Sequence, residues 1–400
     1  MMVIQRWLRS RSSSKCRAAR GRSEHISFCV RARASNRVKR LESEATFPLK
    51  KSSNERARND AMKLPIIDVN ALTPAEITTR VRLACETNGF FILRNHPVKQ
   101  STIREMHVAS KLFYALPVKF KMRAKQNANN RGYSPIMEEK LDLNANGDSK
   151  EGFYIGRECE DWEMDLPLRG KNVWWPPEEE EAKDEDEEES EARKIGIRFR
   201  LAMEQYYEEM VQFCDGFVPT FAEALGLPGF FEDKFKPHNA LLRPLKYGKV
   251  KSEGKQFACG AHSDYGVLTM LWVQPGSEGL EIFDEKSESW MQVNLGGAEE
   301  EGKESERPDD FICNIGDLMQ FWTNDRFKST VHRVVTDGTK ERYSAAFFYE
   351  PSYECEIEPI VLEGEEPKYE KTTFLKYILA KYDATHEAFD SGEKNASKNK

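Results

Sequence analysis

Apolar residues recur along this chain in two periods. A short apolar run at residues 64–69 ends in a polar break and predicts a strand. Thr73 then caps, and Pro74 opens, a helix with apolar positions at Ile77, Val81 and Ala84. Residues 89–93 predict a second strand, followed by a turn at Asn95-His96-Pro97-Val98 in which His96 reads as packing. Ser101 is expected to cap the next helix, whose stripe of Ile103, Met106, Ala109, Leu112 and Phe113 marks core. A longer helix is expected over 195–225, through Leu201, Tyr206, Met210, Phe213, Phe217 and Phe221, with Gly226 placed to stop it.

Past Asn239 the period shortens to two. Strands are expected at 241–247, 266–272, a hairpin of 280–283 with 290–293, then 311–314, 318–321, 329–335 and 342–348. Gly316-Asp317 suits a tight turn, and 373–382 reads as a last helix. Many short antiparallel strands at this spacing suggest a double-sheet jelly roll, so the fold class is α+β with an N-terminal helical subdomain and a bracing helix.

Composition changes this picture at the ends. The first forty-one residues carry twelve Lys or Arg and one acid, Glu24. Without them the chain has 48 basic against 66 acidic residues, a net charge of −18 where the whole has −7. A basic, Ser-rich leader on an acidic body reads as a chloroplast or mitochondrial transit peptide, with 30–35 as a processing region. A disordered basic tail, or a start codon set too far upstream, reads the same residues as well, and the protein would then be cytoplasmic. The acidic body argues against a nucleic-acid partner. No run of eighteen apolar residues exists, so no membrane span is expected. Eight scattered cysteines without a Cys-x-x-Cys pair argue against disulfides and zinc, and Cys259 reads as a buried strand thiol. Eleven acids in the fourteen residues 178–191 self-repel, as a surface insertion or a lead-in to the long helix. The expected division is 1–62 leader and linker, 63–175 N-terminal subdomain, 176–192 acidic insertion, 193–360 jelly-roll core, and 361–400 helix and polar tail.

Chemistry gathers in the core. His262-Ser263-Asp264 is followed by His332 seventy residues on. Two histidines and a carboxylate form the facial triad that holds non-haem Fe(II) and leaves positions open. Residues i and i+2 of a strand share a face, so His262 and Asp264 can grip one ion, with His332 reaching it from a neighbouring strand. A lone His-x-Asp is weak, and alone it reads as a polar pair near a strand end.

The surrounding sequence strengthens that reading. The run Asn314-Ile315-Gly316-Asp317-Leu318-Met319-Gln320-Phe321-Trp322-Thr323-Asn324-Asp325, then 329–335 and 342–348, resembles the C-terminal core of the isopenicillin N synthase-like 2-oxoglutarate/Fe(II) oxygenases. Phe113-Tyr114-Ala115-Leu116-Pro117 and Asn130-Arg131-Gly132-Tyr133 resemble the N-terminal part of the same family, so the likeness runs from about Leu64 to Tyr353. It implies an O2-dependent oxidation with Fe(II) on His262, Asp264 and His332, and 2-oxoglutarate held at its far end by Arg342, Ser344 and Tyr247. A guanidinium fork plus a hydroxyl suits a carboxylate. Many relatives also carry an asparagine where this chain has Leu245. The likeness makes Arg131, Tyr133, Phe153, Tyr154 and Phe348 candidates for a small-molecule substrate. The protein is expected to be a monomer. An oxidase that needs no 2-oxoglutarate, and a non-catalytic binding protein on the same scaffold, are the alternatives.

Overall fold

The first helix starts at Thr73 for a chemical reason. Its hydroxyl accepts the Glu76 N–H while the Glu76 carboxylate accepts the Thr73 N–H, a reciprocal cap ahead of Pro74. The computed structural model describes residues 62–136, 150–164, 166–177, 186–248, 256–293, 309–336 and 338–385. The basic leader, the linker up to residue 61, the acids at 178–185, residues 294–308 and the polar tail from residue 386 lie outside the described residues.

In chain order the elements are β1 (Ile66–Asp68), α1 (Pro74–Thr87), β2 (Phe90–Arg94), α2 (Gln100–Ala115), α3 (Val118–Lys121), β3 (Gly132–Ser134) and β4 (Lys150–Gly156). Next come α4 (Glu187–Phe217), α5 (Pro219–Ala224), β5 (Leu241–Tyr247), β6 (Gln256–His262), β7 (Leu268–Val273), β8 (Leu280–Asp284), β9 (Ser289–Gln292) and β10 (Phe311–Ile315). The chain continues through α6 (Asp317–Trp322), β11 (His332–Thr336), β12 (Arg342–Tyr349), β13 (Glu356–Ile357), β14 (Thr372–Thr373) and α7 (Phe374–Thr385).

The strands form a major sheet in the order β1-β2-β10-β7-β12-β5-β4-β3 and a minor sheet in the order β6-β11-β8-β9. Only β1 and β2 pair in parallel; the other named pairs of both sheets are antiparallel. This is the expected α+β jelly roll. Strands from the N-terminal segment lie at both edges of the major sheet, so that segment and the core share one sheet.

The major sheet has two buried faces, and strand parity assigns each residue to one of them. Tyr343, Ala345, Phe347 and Tyr349 of β12 join the large cluster beneath the helices, with Phe113, Phe199, Met203, Tyr206 and Phe217. On the other face, Leu245, Tyr247, Val273 and Ile312 meet Cys259, Leu280, Ile282 and Val334 of the minor sheet. That second cluster is the interior of the jelly roll, where β12 directs Arg342, Ser344, Ala346 and Phe348.

Several expectations need correction. Ser101 does not cap α2: Lys99 holds the N-cap position without a side-chain cap, and Glu209 of α4 accepts the Lys99 N–H at 2.9 Å. The long helix begins at Glu187, capped by Asp186, so the last five residues of the acid run are helical. Acids in a first turn face the positive end of the helix dipole. Leu201 is 61% exposed and belongs to the outer side of that helix. Residues 318–321 form no strand; Gly316 starts α6, which buries Leu318, Met319, Phe321 and Trp322. Strand β11 starts only at His332, and residues 329–331 lead into it.

Candidate metal centre and active site

His262 is the last residue of β6 and His332 the first of β11, and the two are direct partners in the ladder. Their ring centroids lie 4.4 Å apart. Asp264 has already left the strand, so the expected i, i+2 geometry applies to the chain direction but not to the pleat. Its Oδ1 nonetheless lies 3.7 Å from His262 Nε2 and 3.8 Å from His332 Nε2. These three are the one His/Cys/Asp/Glu cluster of metal-binding geometry among the described residues.

The surroundings fix each donor. His262 Nδ1 lies 2.8 Å from the Gly260 carbonyl and His332 Nδ1 lies 3.1 Å from the Thr330 carbonyl. A carbonyl can only accept, so each Nδ1 carries a proton, and each ring in its neutral form presents the Nε2 lone pair to the shared space. Asp264 Oδ2 accepts from Thr269 Oγ1 at 2.6 Å and Asn314 Nδ2 at 2.7 Å, which leaves Oδ1 for the same space. Burial opposes ionisation of Asp264, but the two imidazoles and these donors outweigh it and hold the carboxyl below its usual range. Burial, then the neighbouring imidazole, push His332 down to about 4. At His262 burial also works against the proton, but the adjacent Cys259 and Asp264 prevail and raise it to about 9.

A second constellation lies further along the same face of the major sheet. Arg342 pairs with Tyr247, Ser344 with Leu245, and the Arg342 guanidinium lies 4.7 Å from the Tyr247 ring centroid. Arg342 is 6% and Ser344 3% exposed. Arg342 Nε and Nη1 and Ser344 Oγ are buried without any hydrogen-bond partner. Orphaned buried donors each cost about 1–3 kcal/mol, more when charged. Three such donors on one face of β12, two residues apart, fit a carboxylate that would satisfy them together. Leu245, beside Ser344, offers no hydrogen bond.

The remaining candidates divide by sheet parity. Phe348 pairs with Thr269 and Leu241 on the interior face and is half-buried. Tyr154 also faces the interior, with the Arg243 guanidinium 4.6 Å from its ring centroid. Tyr133 and Phe153 do not: they pair with each other on the helix side. There Phe153 packs on Trp174, Phe113 and Phe199, and Tyr133 donates to Glu151 at 2.6 Å. Both are core residues, contrary to expectation.

The sequence reading passed over other residues at the site. Thr269 and Asn314 hold Asp264. Asp317 accepts from Ser263 at 3.1 Å, Ser329 at 2.7 Å and Lys381 at 2.6 Å, and its own N–H reaches the Asp264 carbonyl at 2.7 Å. Arg243 shares a face with Tyr247 by simple alternation, a signal that was available. Lys150, buried and 3.6 Å from Cys259, lies opposite Tyr247.

Known proteins resemble this chain in sequence and fold. Residues 64–178 match the family model described as non-haem dioxygenase in morphine synthesis N-terminal, and residues 238–351 match that of the 2OG-Fe(II) oxygenase superfamily. The 2-oxoglutarate-dependent dioxygenase traH of Penicillium crustosum is 30% identical over 73% of this chain and 85% of its own. The 2-oxoglutarate-dependent dioxygenase caaD of Aspergillus niger is 29% identical over 74% of this chain and 86% of its own. The crystal structure of a full-length Neurospora crassa protein in complex with alpha-KG and 5-formyluracil matches with a TM-score of 0.64 and 26% identity, covering 84% of this chain and all of that one.

Proposed function

This chain belongs to the 2-oxoglutarate/Fe(II) oxygenase superfamily, and from that premise we propose that His262, Asp264 and His332 hold the iron while Arg342, Ser344 and Tyr247 hold the far carboxylate of 2-oxoglutarate. The protein is an Fe(II)- and 2-oxoglutarate-dependent dioxygenase that oxidises a small organic substrate. Relatives named for 2-oxoglutarate dependence set aside the two alternatives, the oxidase that needs no oxoacid and the non-catalytic binder.

The observation that carries the residue assignment is the set of orphaned donors on Arg342 and Ser344, aimed into the same interior that the two Nε2 atoms face. Iron and the oxoacid supply O2 activation coupled to oxidative decarboxylation, giving succinate and CO2. The residues do the rest. Gly260 and Thr330 carbonyls fix the ring tautomers, Thr269 and Asn314 orient Asp264, and Arg342 sets the direction of the oxoacid by holding its far carboxylate. Phe348, cross-strand from Thr269, walls the interior beside Asp264 and excludes water from the reacting carbon, and Tyr154 lines the same face further out. Hydroxylation of a C–H bond held there is the proposed outcome.

Anaerobic titration with Fe(II) and then 2-oxoglutarate tests this reading. The weak visible band of the chelate is expected. Arg342→Ala should raise the oxoacid concentration for half-saturation about tenfold to a hundredfold, the loss of a charged hydrogen-bonding group. An unchanged titration in Arg342→Ala would remove that residue from the oxoacid site. Retention of iron by Asp264→Ala at wild-type affinity would remove the triad.

A further inference from the structure

Resting on the oxygenase reading above, we infer that the substrate carries an anionic group, a carboxylate in the simplest case, and that Arg131 receives it. The placement of Arg131 follows from a glycine. A Cβ on Gly156 would lie 2.3 to 2.6 Å from Nη2, Cζ and Nε of Arg131, so the guanidinium lies in the notch that the missing side chain leaves. Gly156 pairs with Leu241, Leu241 with Phe348, and Phe348 with Thr269, which holds Asp264. Cross-strand partners share a face, so the Arg131 guanidinium lies on the triad side of the sheet. Three strand spacings, about 14 Å, separate Gly156 from Thr269, enough for a small organic molecule with one end at Arg131 and a carbon near the triad.

This seat differs from the one at Arg342. Gly156 and Lys150 lie at opposite ends of β4, about 20 Å apart, and Lys150 marks the row of Tyr247 and Arg342. Two anions therefore have separate places.

Arg131 is poorly matched by the protein itself. It is 7% exposed, and Nη1 donates to the carbonyls of Asn129 and Asn130, both at 3.1 Å. Nε is buried without a partner, and no carboxylate pairs with Arg131 among the described residues. A buried cation in this condition is costly unless a ligand completes it. A second cation, Arg243, faces the same interior one row away. Glu350, Arg131, Arg243 and Asn130 all lie near enough to Tyr382 to act on its hydroxyl. Glu350, the one acid among them, accepts the Val267 N–H at 2.9 Å, and burial pushes it well above the carboxylate range, towards its neutral form. Arg131 and Arg243 thus place two cations beside the Phe348 ring on this face, which suits an acid with an apolar body.

The test uses the full chain, anaerobic, with Fe(II) and 2-oxoglutarate, and follows the shift of the chelate band. The probes are aromatic and medium-chain aliphatic carboxylates, each against its own primary amide, phenylpropanoate and phenylpropanamide among them. Acids should bind at least about tenfold tighter than amides, the contribution of one charged hydrogen bond. Arg131→Gln should erase that preference, Arg131→Lys should keep part of it, and Gly156→Ala should weaken it by moving the guanidinium without removing its charge. Equal binding of acids and amides overturns the inference. So does a preference that survives in Arg131→Gln, or acids that merely displace 2-oxoglutarate and abolish the band. Failure of the band to form before any probe is added would count against the oxygenase reading instead.

Discussion

Replacing Asp317 by Ala removes one carboxylate and loosens three parts of the molecule at once. Its oxygens accept from Ser263, which lies between His262 and Asp264, from Ser329 ahead of His332, and from Lys381 of α7. The Lys381 and Asp317 side chains are only 10% and 18% exposed. Removing one partner of a buried pair costs about 3–5 kcal/mol, and the residual exposure places this pair near about 3 kcal/mol. At about 2–4 °C per kcal/mol for a domain of this size, the melting temperature should fall by about 6–12 °C. Iron affinity should fall by about tenfold, the lower end for groups that orient ligands, because Asp317 touches the residue between the ligands and not their rings.

Calorimetry of the iron-free protein and a separate Fe(II) titration measure the two effects. A cycle with Lys381→Met isolates the ion pair. If the pair is the main term, the double variant is less destabilised than the sum of the singles by about 1.5 kcal/mol or more. Additivity within about 0.5 kcal/mol, together with unchanged iron affinity, would refute the argument that Asp317 ties α7 to the triad.

Two further outcomes follow from geometry away from the triad. Phe153→Ala should cost about 3–5 kcal/mol by cavity formation under the helices while leaving the half-saturation for 2-oxoglutarate unchanged, as urea unfolding and the chelate titration would show. Burial raises Asp325, but the Tyr369 hydroxyl at 2.5 Å and Lys368 at 3.2 Å outweigh it and hold the carboxyl below its ordinary 3.8. A folded value below the unfolded one means the contribution is present above 3.8 and lost as pH falls through the folded value. The stability gap between wild type and Asp325→Asn, a residue that keeps the positive φ of 67°, should be constant near neutrality and shrink below pH 3.8. A gap that persists or grows in acid would contradict the shift.

Legibility in the sequence followed the reach of each interaction. The grouping of His262, Asp264 and His332 was readable because the motifs around them are short, and the shared face of Arg342 and Ser344 because alternation along a strand is local. Residues 318–321 were ambiguous because three apolar residues without β-branching around Gln320 suit a strand or a helix turn equally, and the choice rests on Gly316 and on what Trp322 buries. The Asp317 contacts were not readable at all, since Ser263 and Lys381 lie fifty-four and sixty-four residues away.

The pocket residues show the sharpest limit. Phe153 and Tyr154 are neighbours of similar character, and a strand must send them to opposite faces. Nothing local says which face meets the triad. That is decided by the register of β4 on β5, which sets Gly152 against Leu245 and Gly156 against Leu241. A shift of one residue would exchange the two rings and put Gly152, Gly156 and Lys150 on the helix side. The glycines hold the choice in place: Gly152 leaves room for Leu245, whose Cδ2 a Cβ would meet at 2.9 Å, and Gly156 leaves room for Arg131. The face that looks toward the triad is therefore chosen by residues with no side chain, which a search for chemical groups passes over.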